Sequence, residues 1–228
     1  MKNAFGLFLA TLLVLNQAKA QYWEGDNWYN NPLGFEPLKL HTSMAFLVPA
    51  VAVGACLLLT ERDTTLKNKL SGYGEAGFSW GYKYPYTFLP QLNFGINYQL
   101  RKFMSVGVEF DIYSALDDYN HTAGLGIRPF ARFYPVNRDN WRLYFESGGG
   151  LIYFFDYFPK PTEQDNRLGT HWNGTTKYGL GAEVNLSSNT NLMFGVRHIH
   201  VSNSNTKGVE RNPSHDSNGF FIGLSHVF

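Results

Sequence analysis

The chain beyond Ser71 alternates regularly between apolar and polar or small residues, in segments of about ten residues separated by turn residues. In the clearest segment, 104–113, one set is Met104, Val106, Val108, Phe110 and Ile112, and the other is Ser105, Gly107, Glu109, Asp111 and Tyr113. Successive side chains of a strand point to opposite faces, so a period of two predicts strands where a helix would need a period near 3.6. The alternating segments are 75–82, 91–98, 104–113, 124–133, 142–153, 177–186, 191–203 and 218–228.

These segments predict an all-β fold, an eight-stranded antiparallel transmembrane β-barrel. About ten residues is the length that a tilted strand needs to cross a bilayer, and eight strands is the smallest number that closes an outer-membrane barrel. Closure is required because an open sheet edge would leave unpaired backbone groups in hydrocarbon. A soluble lipocalin-like barrel or a β-sandwich is the alternative, and it would put the apolar set inside and the charged set in solvent.

Charged residues are concentrated in the set that the barrel would direct inward. An eight-stranded interior is just filled by side chains, so acids and bases placed there should form a paired network in a closed lumen, not a pore. The acids are Glu75, Glu109, Asp111, Glu146 and Glu183, and the bases are Arg128, Arg132, Arg142, Lys177 and Arg197.

Residues 1–20 have the features of a secretory signal peptide. Lys2 precedes an apolar run over 4–14, and Ala18-Lys19-Ala20 forms a small-residue cleavage site. The single cysteine, Cys56, excludes an intramolecular disulfide framework, and the net charge of +1 gives no argument for a nucleic-acid partner.

An N-terminal extension, 21–70, lacks the alternation and contains an uncharged apolar run at 43–60. This run has the length of a membrane-spanning helix, roughly 27 Å. Pro49 and Gly54 weaken such a helix, so a helix packed beside the barrel and an irregular segment are equally open alternatives. The predicted domains are the signal peptide, this extension and a barrel over 71–228.

The candidate chemistry lies in the motif 197–217. His200 and Ser202 fall on the same face of a predicted strand, roughly 7 Å apart along it, at the end of an apolar row. An ester hydrolase needs a nucleophilic hydroxyl, a base, an acid that orients the base, and donors for the oxyanion. By itself the pair could simply mark where the strand leaves the bilayer. His198 lies deeper on the same face, which favours packing in the aromatic belt over catalysis.

The pattern around this pair resembles the signature of the outer-membrane lipid A 3-O-deacylases, the PagL-type acyl hydrolases. The resemblance is carried by His200-x-Ser202-Asn203, Lys207-Gly208, Asn212-Pro213 and an acidic residue just before the last strand. It implies an eight-stranded barrel with its Ser-His-acid triad on the outer wall. Ser202 would then be the nucleophile, His200 the general base and Asn203 a residue of the oxyanion or substrate region.

The triad acid is the position at which this sequence departs from the family pattern, which usually has Glu. Asp216 is preferred, because it can lie at the start of the strand antiparallel to that of His200; Glu210 is the alternative acid.

No metal-ligand spacing or cofactor motif is present. The resemblance implies a serine esterase of the outer membrane, with its active site facing the outer leaflet and lipid A or lipopolysaccharide as substrate. A homodimer is left open. A non-catalytic barrel, an adhesin or structural protein, is the alternative function.

Overall fold

Eight antiparallel strands form a closed barrel in which each strand pairs with its neighbours in sequence and the last pairs with the first. This confirms the predicted fold class. The computed structural model describes residues 42–62, 64–66 and 69–228, so the predicted signal peptide and the first half of the extension lie outside the described residues. The strands are β1 Leu70–Gly81, β2 Phe88–Arg101, β3 Met104–Leu116, β4 His121–Asn137, β5 Trp141–Phe158, β6 Thr170–Asn185, β7 Thr190–Ser202 and β8 His215–Val227.

The two faces of the wall differ as the alternation predicts. On β3, Glu109 and Asp111 are buried inside the barrel, whereas Val108 and Phe110 on the outer face are 43% and 45% exposed. The same contrast recurs on the other strands, so the outer wall is an apolar surface suited to lipid.

The lumen contains the predicted network of ion pairs. Arg128 lies between Glu109 and Glu146, with N–O distances of 2.8 and 2.7 Å, and Arg132 contacts Glu146 at 2.7 Å. All ten predicted residues take part, the remaining pairs being Arg132–Glu183, Arg142–Glu183, Lys177–Glu109, Lys177–Asp111 and Arg197–Glu75. Since each inward charge meets an opposite one, the lumen is filled by paired side chains.

The apolar run of the extension forms a helix, α1, from Thr42 to Leu59. It contacts β4, β5 and β6. Just beyond its C-terminal end, the backbone carbonyl and hydroxyl oxygens of Thr60 each accept a hydrogen bond of 2.9 Å from Arg101, at the end of β2. In the described part of the chain, no helix is long and apolar enough to cross a membrane.

Burial on the outer wall shows where α1 lies. Leu151 on β5 and Leu180 on β6 face outward and are 58% and 60% exposed, as lipid-facing residues should be. Ser147, Thr176 and Tyr178 also face outward on these strands, yet all three are buried. Because α1 contacts both strands, we infer that it covers this patch and lies across the outside of the barrel.

The charge network predicts the effect of removing Arg132. In Arg132→Met, Glu146 loses a partner in a buried site and the free energy of unfolding should fall by about 3 kcal/mol. Urea unfolding of the protein refolded in lipid measures this difference. Arg138→Met, at an exposed turn position, is the matched control and should change stability by less than about 0.5 kcal/mol. An equal effect of the two substitutions, or open-pore conductance of the wild-type protein in a planar bilayer, would contradict a paired and closed lumen.

The loops after β1, β3, β5 and β7 lie at one end of the barrel, and the turns after β2, β4 and β6 lie at the other. We predict that the loops near 115–121, 158–172 and 203–216 are extracellular and that Phe228 lies at the periplasmic rim. In a Cys56→Ser background, Glu163→Cys should react with an impermeant maleimide on intact cells. Asp139→Cys, in an exposed turn at the opposite end, should react only after permeabilisation. The reverse pattern would invert the orientation.

Candidate active site

The hairpin of β7 and β8 brings His200 and Asp216 together on the outer wall. The two residues are direct partners in the antiparallel register, so their side chains leave the same face of the sheet. His200 Nδ1 lies 2.7 Å from Asp216 Oδ1, and the carboxylate is buried. The alternative acid, Glu210, lies exposed in the short 3₁₀ turn Val209–Arg211. Within the described residues, no hydrogen bond or ion pair joins Glu210 to His200.

Ser202 lies at the end of β7, two residues beyond His200 on the same face. Its hydroxyl donates a hydrogen bond of 2.9 Å to Asn212 Oδ1 and accepts one of 3.1 Å from the Ser204 backbone N–H. In the part of the chain that the structure describes, no hydrogen bond links Ser202 to His200. The serine hydroxyl is therefore held by the loop that follows it.

Asn203 is next to the serine, but its side chain is bound within the loop. Its amide nitrogen donates to Thr170 Oγ1 at 3.2 Å and to the Arg211 carbonyl oxygen, and its amide oxygen accepts from the Asn205 backbone N–H at 3.0 Å. The backbone N–H of Asn203 instead donates to Asn212 Oδ1 at 3.1 Å. The backbone of Asn203, and not its side chain, thus borders the serine.

Asn212 belongs to the sequence signature, but the sequence alone assigned it no role. Its Oδ1 accepts from both the Ser202 hydroxyl and the Asn203 N–H, and its Nδ2 donates to Asn205 Oδ1 at 2.8 Å. The signal that could have identified Asn212 is its place in the Asn-Pro pair between the serine and the acid. A side-chain amide is thus positioned against the candidate nucleophile.

Two arginines fasten the loop that carries Asn212 to the neighbouring loop between β5 and β6. Arg211 donates to the carbonyl oxygens of Leu168 and Gly169 at 2.7 and 2.9 Å, and Arg167 donates to the Asn212 carbonyl oxygen at 3.1 Å. The hydrogen-bonded Arg167 guanidinium also lowers the pKa of the Asp165 carboxyl, which keeps this pair ionised. Adjacent loops therefore hold Asn212 in place beside Ser202.

Asp216 has two further basic neighbours that the sequence did not reveal. Lys83, from the loop after β1, approaches Oδ2 at 3.5 Å, and His198 Nε2 lies 3.4 Å from Oδ1. His198 is buried, and its other ring nitrogen lies 2.9 Å from Asn218 Oδ1. The His198 ring packs against the Tyr178 ring, with centroids 4.9 Å apart, and it also faces the acid. Only the register between β7 and β8 could have shown this.

An apolar surface extends along the wall below these polar residues. Its members face outward on β7 and β8 and are roughly half exposed, namely Phe194, Phe220, Ile222 and Leu224. The site therefore combines the Ser202 hydroxyl, the paired His200 and Asp216, and an apolar surface. This combination suits an ester that carries a hydrocarbon chain. Among the described residues, no cluster of three or more His, Cys, Asp or Glu side chains has the arrangement of a metal site.

Comparisons with solved structures show the same fold. The crystal structure of the outer membrane enzyme PagL is 17% identical, with a TM-score of 0.50 over 65% of this chain and 97% of that chain. The crystal structure of Neisserial surface protein A is 12% identical, with a TM-score of 0.52 over 70% of this chain and 97% of that one. No curated protein matches the chain significantly.

At the level of sequence, residues 111–225 match the family described as Lipid A 3-O-deacylase (PagL). The matched region is half of the 228-residue chain. It contains β4 to β7 and most of β8, together with His200, Ser202, Asn212 and Asp216. The chain therefore belongs to the lipid A 3-O-deacylase (PagL) family and is an outer-membrane lipid A deacylase.

Proposed function

We propose that the protein is a serine esterase that hydrolyses an ester-linked acyl chain of lipid A, with Ser202 as nucleophile, His200 as general base and Asp216 as the acid that orients the imidazole. The observation that carries the proposal is the 2.7 Å contact between His200 Nδ1 and Asp216 Oδ1, with Ser202 two residues away on the same face. Family membership supports the substrate class.

The contact between the two side chains fixes the proton on the imidazole. An ionised carboxylate only accepts hydrogen bonds, so His200 Nδ1 must carry the hydrogen. The neutral ring then presents a lone pair at Nε2, which is the form that can remove a proton from a serine. Rotation of the Ser202 side chain about χ1 would turn its hydroxyl from Asn212 toward this nitrogen. Catalytic hydrogen bonds are often absent before substrate binds, so the resting contact with Asn212 is compatible with the role.

The reaction then proceeds in two steps. His200 takes the Ser202 proton while Oγ attacks the ester carbonyl, and collapse of the tetrahedral intermediate expels the sugar oxygen, to which the imidazolium returns the proton. The resulting acyl-enzyme is attacked by water, and His200 accepts the proton of that water. In the second collapse the imidazolium returns this proton to Oγ, which releases the fatty acid and restores Ser202 and neutral His200.

Donors for the oxyanion are available around Ser202. The backbone N–H of Asn203 donates to Asn212 Oδ1, the oxygen that also accepts from the Ser202 hydroxyl. The backbone N–H of Ser204 donates to Ser202 Oγ. For the Asn203 N–H to reach an oxyanion, the Asn212 Oδ1 that now accepts from it must move aside. Because removal of a single oxyanion donor costs about 100-fold or more in rate, these groups are important to the proposal.

The position of the site suits a substrate that remains in the membrane. The acyl chain of lipid A would lie along Phe194, Phe220 and Ile222, while its ester reaches Ser202 at the end of the strand. The headgroup would then face the loops, where Arg167 and Arg211 are located. A lipid could thus be hydrolysed without leaving the outer leaflet.

The nucleophile and base should act as a unit. We expect kcat to fall by about 10⁴-fold or more in Ser202→Ala, in His200→Ala and in the double variant. The double variant should lose no more activity than either single variant, because neither residue functions alone. Mass spectrometry of lipid A from expressing cells and kinetics in detergent measure the effect. Ser187→Ala, at an exposed turn on the far end of the barrel, is the matched control and should keep full activity.

Heat-modifiable migration on gels should be unchanged in all these variants, because the barrel does not depend on the residues at its rim. Full deacylation by Ser202→Ala in cells that lack other deacylases would eliminate the serine mechanism. It would leave a different nucleophile or the non-catalytic alternative.

The two candidate acids can be separated by substitutions that preserve shape. Asp216→Asn should reduce kcat by about 100-fold or more, because the amide cannot stabilise the imidazolium and can favour the wrong tautomer. Glu210→Gln should be nearly neutral, since its side chain is exposed. The same kinetic assay compares both with wild type. A damaging Glu210→Gln beside a neutral Asp216→Asn would transfer the role to Glu210.

A further inference from the structure

We propose that His198 and Asn218 form a positioning pair that holds the Asp216 carboxylate in the orientation that His200 requires. The proposal rests on the function proposed above, in which Asp216 orients the base. His198 and Asn218 would not touch the substrate and would act only through Asp216.

The first observation is the position of His198 in the register. His200 pairs with Asp216 and His198 pairs with Asn218, so these four outward side chains form two adjacent rows across β7 and β8. His198 Nε2 reaches diagonally to Asp216 Oδ1 at 3.4 Å, the same oxygen that His200 contacts at 2.7 Å. One carboxylate oxygen is therefore shared by two imidazoles.

The second observation is that both side chains are buried although they lie on the outer face of the wall. His198 and Asn218 are 3% and 1% exposed, whereas Phe220, the next outward residue on β8, is 44% exposed. The Tyr178 ring lies against the His198 ring, with centroids 4.9 Å apart. A buried polar group is costly unless it is hydrogen-bonded, so these two side chains should be satisfied by each other and by Asp216.

The third observation concerns the donors and acceptors. Asp216 as a carboxylate offers only acceptors, so the nitrogen of His198 that faces it, Nε2, must carry a hydrogen. In the neutral ring, Nδ1 then has only a lone pair, and the group that faces it must be a donor. Asn218 presents Oδ1 to Nδ1 at 2.9 Å, while its Nδ2 is buried and has no hydrogen-bond partner among the described residues.

Rotation of the Asn218 amide by 180° resolves both mismatches, because the oxygen and nitrogen of an amide are nearly equal in shape. Asn218 Nδ2 then donates to His198 Nδ1, and His198 Nε2–H donates to Asp216. These hydrogen bonds fix the tautomer of His198. Asp216 then accepts hydrogen bonds from two side chains of β7, His198 and His200. The previously unpartnered amide nitrogen gains its partner in the same step.

The His198–Asn218 pair would restrict the orientation of the Asp216 carboxylate. The carboxylate of Asp216 lies one methylene closer to the backbone than that of a glutamate. Lys83 approaches its Oδ2 at 3.5 Å, whereas His200 is the closest contact of Oδ1. A further donor on Oδ1 helps to keep that oxygen directed at His200 Nδ1. Networks of this kind contribute through orientation more than through the energy of a single bond.

The kinetic test uses the full-length protein refolded in detergent with lipid A as substrate. His198→Leu should reduce kcat by about 10-fold, within the range of coupling between contacting residues, with KM changed by less than about twofold. His198→Gln, which retains a donor, should recover much of kcat. His226→Leu, on the outer face at the opposite end of β8, is the matched control and should be unaffected.

A double-mutant cycle separates positioning from a general structural effect. If His198 acts through Asp216, then His198→Leu should cost less than about twofold when added to Asp216→Asn. A full 10-fold further loss in that background, full activity of His198→Leu, or an effect on KM alone would each overturn the proposal. A neutral Asp216→Asn beside an inactive Ser202→Ala would also overturn it, while the serine mechanism would stand.

A spectroscopic readout is independent of activity. In ¹⁵N-histidine NMR spectra of the protein in micelles, His198 should be the neutral form protonated at Nε2, and Asn218→Leu should disturb that signal. A proton on Nδ1 alone would overturn the positioning pair. If Ser202→Ala remained active, this measurement would still decide whether His198 donates to Asp216.

Discussion

Pairing of β1 with β8 is the constraint on which the rest of the structure depends. In a bilayer every backbone N–H and C=O must be satisfied within the protein, so the sheet has to close. Closure with eight strands leaves an interior that side chains fill, and period-two alternation divides each strand between that interior and the lipid. The buried pairs around Arg128 and Arg132 and the exposed apolar wall are both consequences of this single constraint.

A closed and filled lumen leaves little room for a substrate inside, so chemistry on a lipid has to be built on the outer wall. Polar groups on that wall are costly unless they satisfy one another. Cross-strand pairing in the β7–β8 hairpin gives these polar groups their partners, because His200 contacts Asp216 and His198 contacts Asn218 on one face. The register that holds the barrel together therefore also assembles the proposed triad.

The sequence predicted what depends on periodicity within one strand. The strand count, the ten lumen charges and the shared face of His200 and Ser202 all follow from a period of two. It could not predict what depends on contacts between strands and loops. The contact of His198 with Asp216 requires the β7–β8 register, and the hold of Asn212 on Ser202 requires the fold of the loop between them. The place of α1 was also open, because a uniformly apolar helix does not show which surface it contacts.

The position of α1 makes the surroundings of the site asymmetric. The buried side chains that we infer it covers on β6 include Thr176 and Tyr178, which are the direct partners of His200 and His198 on β7. The wall on that side of the site is therefore closed. On the other side, over β8 and β1, Phe220, Ile222 and Phe78 remain exposed. If Ser202 acts as proposed, an acyl chain that reaches it along the wall would contact the apolar surface on the β8 side, and α1 would bound the path on the other side.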